Sequence, residues 1–142
     1  MSALNATRDN RGFSLLEIMI VMVIIGLIAA MIGPELWGRL GTAQQKAAKT
    51  QIEMLLTSLD AYRLDVGSYP SQQEGLNALV TNPGADGWTG PYLAKGFVPD
   101  DPWKHPYIYQ NPGEHGEIDI HSLGDDNRPG GTGKDADVVS WE

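Results

Sequence analysis

One acidic residue near the start of an otherwise apolar run is the feature of this sequence most open to chemistry. Glu17 lies within the apolar residues 13–33. An ionised carboxylate at membrane depth is costly unless it lies near an interface, pairs with a cation or becomes protonated, so Glu17 predicts a functional partner. A local structural role is also possible, because Ser14 and Glu17 match the S-x-x-E capping box and a carboxylate suits the positive end of a helix dipole. The residues alone leave both interpretations open.

A second group of acidic side chains lies near the carboxyl end. Four carboxylates are spread through the Gly-rich residues 125–137. Hard oxygen ligands on an adaptable loop suit calcium, whereas magnesium demands a stricter octahedron. The stretch is not an EF-hand, because Pro129 and Ala136 stand where that loop needs ligands. It is not a phosphate-binding loop, because Asp135 replaces the required Ser or Thr. A solvated acidic loop without a metal is the alternative.

The three histidines do not form a pattern that predicts catalysis. His105 lies between Lys104 and Pro106, and His115 lies in a predicted turn. Neither these two nor His121 belongs to a zinc-binding or nucleophile-elbow pattern. The sequence therefore predicts a protein that is not an enzyme.

Charge and composition restrict the class of protein. The chain has 142 residues and a formal net charge of −8, whereas its first twelve residues are slightly positive through Arg8 and Arg11. Such an acidic chain is not expected to bind nucleic acid. The sequence contains no cysteine, so disulfides cannot stabilise the fold and a metal is one possible replacement.

The apolar run is long enough to cross a membrane. Its 21 residues would span about 31 Å as a helix. Positive charge before the run and acidic sequence after it place the leader in the cytoplasm and the remaining domain outside. A cleaved signal peptide is the alternative, but the residues that follow the run are poor in the small residues a signal peptidase needs. Gly33 and Pro34 predict a kink or a locally melted stretch, or else the end of the membrane helix.

Hydrophobic periodicity predicts a long amphipathic helix over residues 40–66. Apolar residues recur there at helical spacing; they are Ala48, Ile52, Leu55, Leu56, Leu59, Tyr62 and Val66. The charged residues of the same segment fall mostly on other faces and are expected to be solvated without a special role; they are Lys46, Lys49, Glu53, Asp60 and Arg63. Gly67 and Pro70 end the helix.

The remaining sequence predicts a small antiparallel sheet packed on this helix, which makes the fold class α+β. A shorter helix is expected at about residues 72–81. Residues 84–102 form a structured loop whose aromatic side chains are expected to be buried anchors, with a carbohydrate or peptide surface as the alternative. Strands are predicted at residues 107–110 and 118–122, joined by a turn at 112–116.

Two sets of residues resemble a known family. Residues 11–21, RGFSLLEIMIV, resemble the prepilin signature shared by type IV pilins and type II secretion pseudopilins, with Ser14 where Thr is usual. Short pieces across the rest of the chain resemble the major pseudopilin of the type II secretion system; they are YRLD (62–65), YP (69–70), QEGLNAL (73–79), DPW (101–103), PY (106–107), SLG (122–124) and DADV (135–138). The absence of a cysteine pair distinguishes the chain from type IV pilins. The resemblance implies a pilin-like fold.

The resemblance implies a processing and assembly site at the amino end. Residues 1–12 would be a leader that a prepilin peptidase removes between Gly12 and Phe13, with methylation of the new amino terminus of Phe13. Residues 13–34 would remain as the transmembrane and filament-core helix, and residues 35–142 as the periplasmic domain. Glu17 would pair with the amine of a neighbouring subunit, which matches two costly charges and fixes the axial register.

The resemblance also implies one calcium ion in the acidic loop, residues 123–137. Asp126 and Asp135 are the implied side-chain ligands, and the carbonyls of Leu123 and Arg128 the implied main-chain ligands. The weaker candidates are Asp125, Thr132 and Asp137. Such a metal would couple the folding of a cysteine-free tail to calcium.

The function implied by the resemblance is structural. The subunit would be a single-pass protein of the bacterial inner membrane that polymerises into a periplasmic pseudopilus and drives folded proteins across the outer membrane. Its implied partners are copies of itself, minor pseudopilins, the prepilin peptidase, an inner-membrane assembly platform and an ATPase. The alternatives are a type IV pilin or minor pseudopilin, and a membrane-tethered calcium-binding recognition module that never polymerises.

Overall fold

One long helix and a small antiparallel sheet provide the regular structure, as the sequence predicts. The computed structural model describes residues 12–142, so the predicted leader lies outside the described residues except for Gly12. The elements are α1 (Leu15–Val66), a first 3₁₀ helix (Gly75–Leu79), β1 (Ile108–Gln110), β2 (Asp119–Ser122), a second 3₁₀ helix (Gly133–Asp135) and β3 (Val138–Val139). The chain divides into two compact units, Met1–Trp37 and Gly38–Glu142.

In the described part of the amino-terminal unit, residues 12–37, the start of α1 is an apolar helical segment whose side chains are exposed. One stretch of α1 is long and apolar enough to cross a membrane, with a mean hydropathy of 2.9 and none of it buried. The helix continues through Gly33 and Pro34, so the local melting or helix end predicted there is wrong. Proline removes one backbone donor, and the hydrogen bonds of the flanking turns maintain the helix. The kink stays a prediction.

In the carboxyl-terminal unit, α1 presents one face to the core, which confirms the predicted amphipathic helix. Its buried apolar residues recur at intervals of three or four; they are Ala48, Ile52, Leu55, Leu59 and Tyr62. They form one cluster with buried residues from the rest of the unit: Leu76, Ala78, Leu79, Leu93, Trp103, Tyr107, Tyr109, Ile120 and Val138. The helix ends where Gly67 takes a left-handed conformation, and the Gly67 N–H donates to the Arg63 carbonyl at 2.8 Å.

The three strands form one antiparallel sheet in the order β1-β2-β3. In this register Tyr109 lies opposite Ile120, and Ser122 lies opposite Val138. The two strands that alternation predicts are confirmed, each slightly shorter than expected. The sequence does not predict β3, because two residues are too few to show a period.

The helix predicted at residues 72–81 is wrong in type and length. Ser71 and Glu74 form a reciprocal capping box, in which the Ser71 N–H donates to Glu74 Oε2 at 2.7 Å and the Glu74 N–H to Ser71 Oγ at 3.3 Å. Gly75 then has φ +57°, a left-handed conformation that an α-helix cannot contain. Only a short 3₁₀ helix, Gly75–Leu79, follows.

Two aromatic residues of the loop at 84–102, Trp88 and Tyr92, are anchors on the core, as predicted, whereas Phe97 is 55% exposed and the prediction is wrong for it. Trp88 Nε1 donates to the Ala78 carbonyl at 2.8 Å. The Tyr92 ring meets the rings of both Trp88 and Tyr62 edge to face, at centroid distances of 5.7 Å. Hydrogen bonds from Thr89 and Tyr92 to the Asp65 carboxylate lower the pKa of Asp65. The loop is therefore attached to the end of α1.

Candidate functional site

The predicted processing and assembly residues lie at the start of α1. Gly12 and Phe13 precede the helix, and Phe13 is 77% exposed. The Glu17 N–H donates to Ser14 Oγ at 3.2 Å, which is one of the two bonds of the predicted capping box. Glu17 itself is exposed. The bond to Ser14 involves the Glu17 backbone, and the exposed side chain of Glu17 is accessible to a partner from another molecule.

The acidic loop is closed by main-chain packing around Asp135. Gly124 has φ +69°, and a Cβ built on it would lie 2.8 Å from the Asp135 carbonyl oxygen. A Cβ on Gly131 would lie 2.4 Å from the same oxygen. These distances are too short for any side chain, so glycine at both positions lets the two ends of the loop meet. The Asp125 N–H also donates to the Lys134 carbonyl at 3.0 Å.

The loop carboxylates have different partners. Asp125 forms an ion pair with Lys134, whose ammonium also lies 3.8 Å from Asp135 Oδ1. The hydrogen bond to Asp125 and the negative charge of that residue raise the pKa of Lys134. Asp126 Oδ1 accepts the Arg128 N–H at 3.1 Å, which closes a local turn.

Asp137 differs from the other acids of the loop. Its Oδ2 accepts the Gly130 N–H at 2.9 Å, whereas its Oδ1 is buried and has no hydrogen-bond partner among the described residues. A buried oxygen without a donor calls for a missing partner, and a bound cation is one such partner.

The structure thus brings together part of the predicted ligand set. The Lys134 ammonium lies close to both Asp125 and Asp135. Asp126 instead accepts a hydrogen bond from the Arg128 N–H within its own turn. Across residues 12–142 no group of three or more His, Asp or Glu side chains is placed to hold a metal. The predicted ligand set contains only two carboxylates, together with two main-chain carbonyls. The absence of a three-residue group therefore does not test it, and the set stays a prediction. Its hard oxygen donors and the orphaned Asp137 oxygen fit the chemistry of calcium.

A buried network that sequence reasoning missed fixes the entry to this loop. Asp101 is 2% exposed, and its Oδ1 accepts the N–H groups of Trp103 at 3.0 Å and His105 at 2.8 Å. Its Oδ2 accepts the hydroxyl hydrogen of Ser122, at the end of β2. His105 Nδ1 lies 3.3 Å from the Gly124 carbonyl oxygen. The Asp-Pro-Trp sequence is a turn signal that could have indicated the first of these contacts.

The same network contains a Ser, a His and an Asp, but their geometry is that of a structural contact. Ser122 is 1% exposed, and its hydroxyl donates directly to the Asp101 carboxylate. His105 lies beside the pair, with Nδ1 3.9 Å from Asp101 Oδ2. In a nucleophilic triad the imidazole must stand between an accessible hydroxyl and the carboxylate. This cluster therefore positions β2 and the loop entry.

Two side chains of α1 contact the acidic loop and the tail, residues 138–142. Sequence reasoning missed these contacts as well. Gln45 Nε2 donates to the Gly133 carbonyl at 2.9 Å and to the Ala136 carbonyl at 2.8 Å. Lys49 Nζ donates to the Val139 carbonyl at 2.8 Å and to the Glu142 carbonyl. The expectation that Lys49 is merely solvated is therefore wrong, because its partners lie about 90 residues away in the sequence.

Two further charged residues of α1 also have specific partners. Arg63 forms an ion pair with Glu117, and Asp60 Oδ1 accepts the Tyr69 hydroxyl hydrogen at 2.7 Å. Both residues are exposed, which confirms the solvated surface predicted for them, although each also has a specific side-chain partner. Helical periodicity identifies the face of a residue and not the loop that covers it.

A second buried carboxylate organises the turn between β1 and β2. Asp119 Oδ2 accepts the Glu114 N–H at 2.7 Å, the His115 N–H at 3.0 Å and lies 3.1 Å from His115 Nδ1. Burial raises the pKa of Asp119, but these hydrogen bonds outweigh it, so the pKa lies below its ordinary value. The His115 ring stacks on Trp141 with the ring centroids 3.8 Å apart.

Family models match almost the whole chain. The model described as type II secretion system (T2SS), protein G, matches residues 35–141. The model described as the prokaryotic N-terminal methylation motif matches residues 7–33. The second match covers the predicted cleavage and methylation residues, Gly12 and Phe13, together with Glu17.

Curated relatives are similar over nearly their full length. A type II secretion system core protein G from Pseudomonas aeruginosa is 43% identical over 140 residues, covering 95% of this chain and 97% of the relative. Core proteins G from Vibrio cholerae and Escherichia coli are 42% and 40% identical over 141 residues. These alignments cover 94% and 97% of this chain and 93% and 95% of the two relatives.

A solved structure has the same fold. The major pseudopilin from the type 2 secretion system of enterohaemorrhagic Escherichia coli superposes with a TM-score of 0.63 at 33% sequence identity. The match covers 76% of this chain and 95% of that one.

Proposed function

Because the chain belongs to the protein G family of type II secretion systems, we infer that it is a major pseudopilin, a structural subunit that polymerises into a periplasmic pseudopilus. The observation that carries this inference is the pair of family models, one on the methylation motif and one on the domain that follows it. A type IV pilin, a minor pseudopilin and a recognition module that never polymerises are not favoured.

The exposed apolar helix supports assembly through the amino-terminal unit. Large apolar side chains from Leu15 to Ile32 are 43–81% exposed, which a soluble monomer would not tolerate over such a length. Lipid covers them in the stored subunit, and neighbouring copies cover them in the filament. We place the subunit in the inner membrane with the domain in the periplasm, where it pushes folded proteins across the outer membrane.

Glu17 is the proposed assembly residue. Prepilin peptidase cleaves between Gly12 and Phe13, and the new amine on Phe13 lies about one helical turn from Glu17. In a filament the carboxylate pairs with the amine of an adjacent copy, because neither charge is tolerated alone in an apolar bundle. Minor pseudopilins, the assembly platform and the ATPase are the proposed further partners.

We also propose that the acidic loop binds one calcium ion. Asp126, Asp135 and the carbonyls of Leu123 and Arg128 would hold it; Asp125, Thr132 and Asp137 are further candidates. Calcium would supply positive charge to a loop that contains four carboxylates. The close approach of two glycines to Asp135 holds the segments of this loop together. The alternative is a loop neutralised by Lys134 alone, which the ion pairs with Asp125 and Asp135 favour.

Crosslinking in membranes tests the proposed assembly. Membranes that contain the full chain and its assembly machinery are treated with an amine-reactive crosslinker and analysed on a denaturing gel. A ladder of regular multimers is the expected result. A band restricted to the monomer would overturn the filament and favour the recognition module.

A further inference from the structure

We propose that Gln45 and Lys49 of α1 are positioning residues that make order in the acidic loop and order in residues 41–49 of α1 depend on each other. The proposal concerns a contact within the carboxyl-terminal unit. It holds whatever ligand closes the loop, so it does not depend on calcium.

The contact follows one face of the helix. Gly41, Gln45 and Lys49 are spaced by four residues, so they lie one above another on α1. A Cβ built on Gly41 would lie 3.3 Å from Lys134 Cβ, and the glycine is buried under that residue. Together the three residues form a docking stripe beneath residues 133–142.

The helix depends on the loop at this point. Gly41 is followed by no other buried residue of α1 until Ala48, which is about 10 Å along the axis. The core therefore begins at Ala48, and the preceding two turns are attached to the domain through the docking stripe.

The loop depends on the helix in return. The second 3₁₀ helix contains no buried residue, and β3 has only two residues. The Gln45 amide donates to the carbonyl of Gly133, the first residue of that 3₁₀ helix, and to the carbonyl of Ala136, the residue that follows it. Lys49 does the same for Val139 and Glu142. The other polar contacts of residues 133–136 are made within the loop itself, chiefly the hydrogen bond from the Asp125 N–H to the Lys134 carbonyl and the ion pair between Lys134 and Asp125.

Amide hydrogen exchange of the full chain in detergent micelles, without added metal, tests the proposal. Gln45→Ala is expected to speed exchange about fivefold to tenfold in residues 41–48 and also in residues 125–137, since each lost side-chain hydrogen bond contributes modestly. Lys49→Ala is expected to act in the same way on residues 41–48 and 138–142. Gln44→Ala and Lys46→Ala are the matched controls, because neither side chain makes a hydrogen bond among the described residues.

A double-mutant cycle separates mutual dependence from simple weakening. Gly124→Ala places a Cβ against the Asp135 and Ala136 carbonyls and so disturbs the loop without changing a side chain of α1. It is expected to speed exchange in residues 41–48 of the wild-type background and to have no further effect there in Gln45→Ala. If Gly124→Ala does not fold, Gly130→Ala replaces it, because Gly130 is an exposed loop glycine with φ +90° and open space at its Cβ position.

Two results would overturn the proposal. In the first, the effects of Gly124→Ala and Gln45→Ala on the exchange rates of residues 41–48 are additive. In the second, Gln45→Ala speeds exchange in residues 41–48 but not in the loop. Both are distinct from failure of the calcium proposal, which is measured by adding metal to the wild-type chain. Both are also distinct from loss of the crosslinking ladder, which measures contacts between copies.

Discussion

The two units of this chain use apolar residues in opposite ways. In the carboxyl-terminal unit the apolar face of α1 is covered from within, and Ile52, Leu55 and Leu59 are completely buried. In the amino-terminal unit side chains of the same type are exposed, with Leu15 at 81% and Met31 at 74%. The carboxyl-terminal unit covers its own apolar side chains, whereas those of the amino-terminal unit require lipid or further copies to cover them. Substitutions in the first should therefore change stability, and substitutions in the second should change assembly.

The largest expected effect belongs to the amino-terminal unit. Glu17→Ala is expected to abolish filament formation, because the processed amine of a neighbouring copy then has no carboxylate to pair with. Membrane insertion and leader cleavage should persist, since the apolar run and Gly12 are unchanged. Electron microscopy and mass measurement of the processed chain check the two outcomes. Glu53→Ala, an exposed acid of the other unit, is the control, and normal filaments from Glu17→Ala would contradict the pairing.

The next effect belongs to the core. Leu55→Ala is expected to lower the free energy of unfolding of the domain by about 2–5 kcal/mol, because it removes buried methyl groups and leaves a cavity. Leu64→Ala, on the same helix but 86% exposed, should change it by less than about 0.5 kcal/mol. Denaturant titration of the full chain in micelles measures both. Equal effects at the two positions would show that the core is wrongly assigned.

A smaller effect is expected from removing calcium. If the loop holds the ion at a concentration about 100 times its Kd, chelation should lower the free energy of unfolding by about 2.7 kcal/mol. The thermal midpoint should recover with calcium and not with magnesium. Asp135→Asn should reduce this response, whereas Asp100→Asn, outside the loop and exposed, should not. A midpoint indifferent to chelator would favour the loop neutralised by Lys134.

The smallest effect is a dependence of stability on pH. The folded pKa of Asp119 lies below the unfolded value of 3.8, so its contribution is present above about pH 4 and is lost as the pH falls through the folded pKa. Asp65 contributes in the same direction. Asp119→Asn should therefore flatten the acid limb of a plot of unfolding free energy against pH. An unchanged acid limb would show that the hydrogen bonds from His115 and Glu114 do not stabilise the charge.

The sequence predicts those parts of the fold that repeat a local pattern. Helical spacing identifies the face that contains Ile52 and Leu59, and alternation identifies β1 and β2. It fails at Gly75, because a single left-handed residue interrupts the α-helix that the neighbouring apolar residues would otherwise predict. Gln45 gives no local signal at all, since its partners lie 88 and 91 residues away.

The residues of the candidate site also differ in how far the sequence predicts them. Glu17 is identifiable because an acid in an apolar run is rare, and its surroundings need no tertiary contact to be recognised. The acidic residues of the loop are identifiable by type, but their partners are not. Nothing in the sequence assigns Lys134 to Asp125, or Asp101 to Ser122, because these pairs are made by chain segments that meet only in the folded domain.

The stacking of Trp141 on His115 gives the tail a built-in optical signal. An indole that leaves an aromatic neighbour for water emits at longer wavelength and loses its near-ultraviolet dichroism. Detachment of the last residues can therefore be followed in unlabelled protein, with Trp141→Phe as the spectroscopic blank. The same signal would show whether the tail stays in place when subunits pass from lipid into a filament.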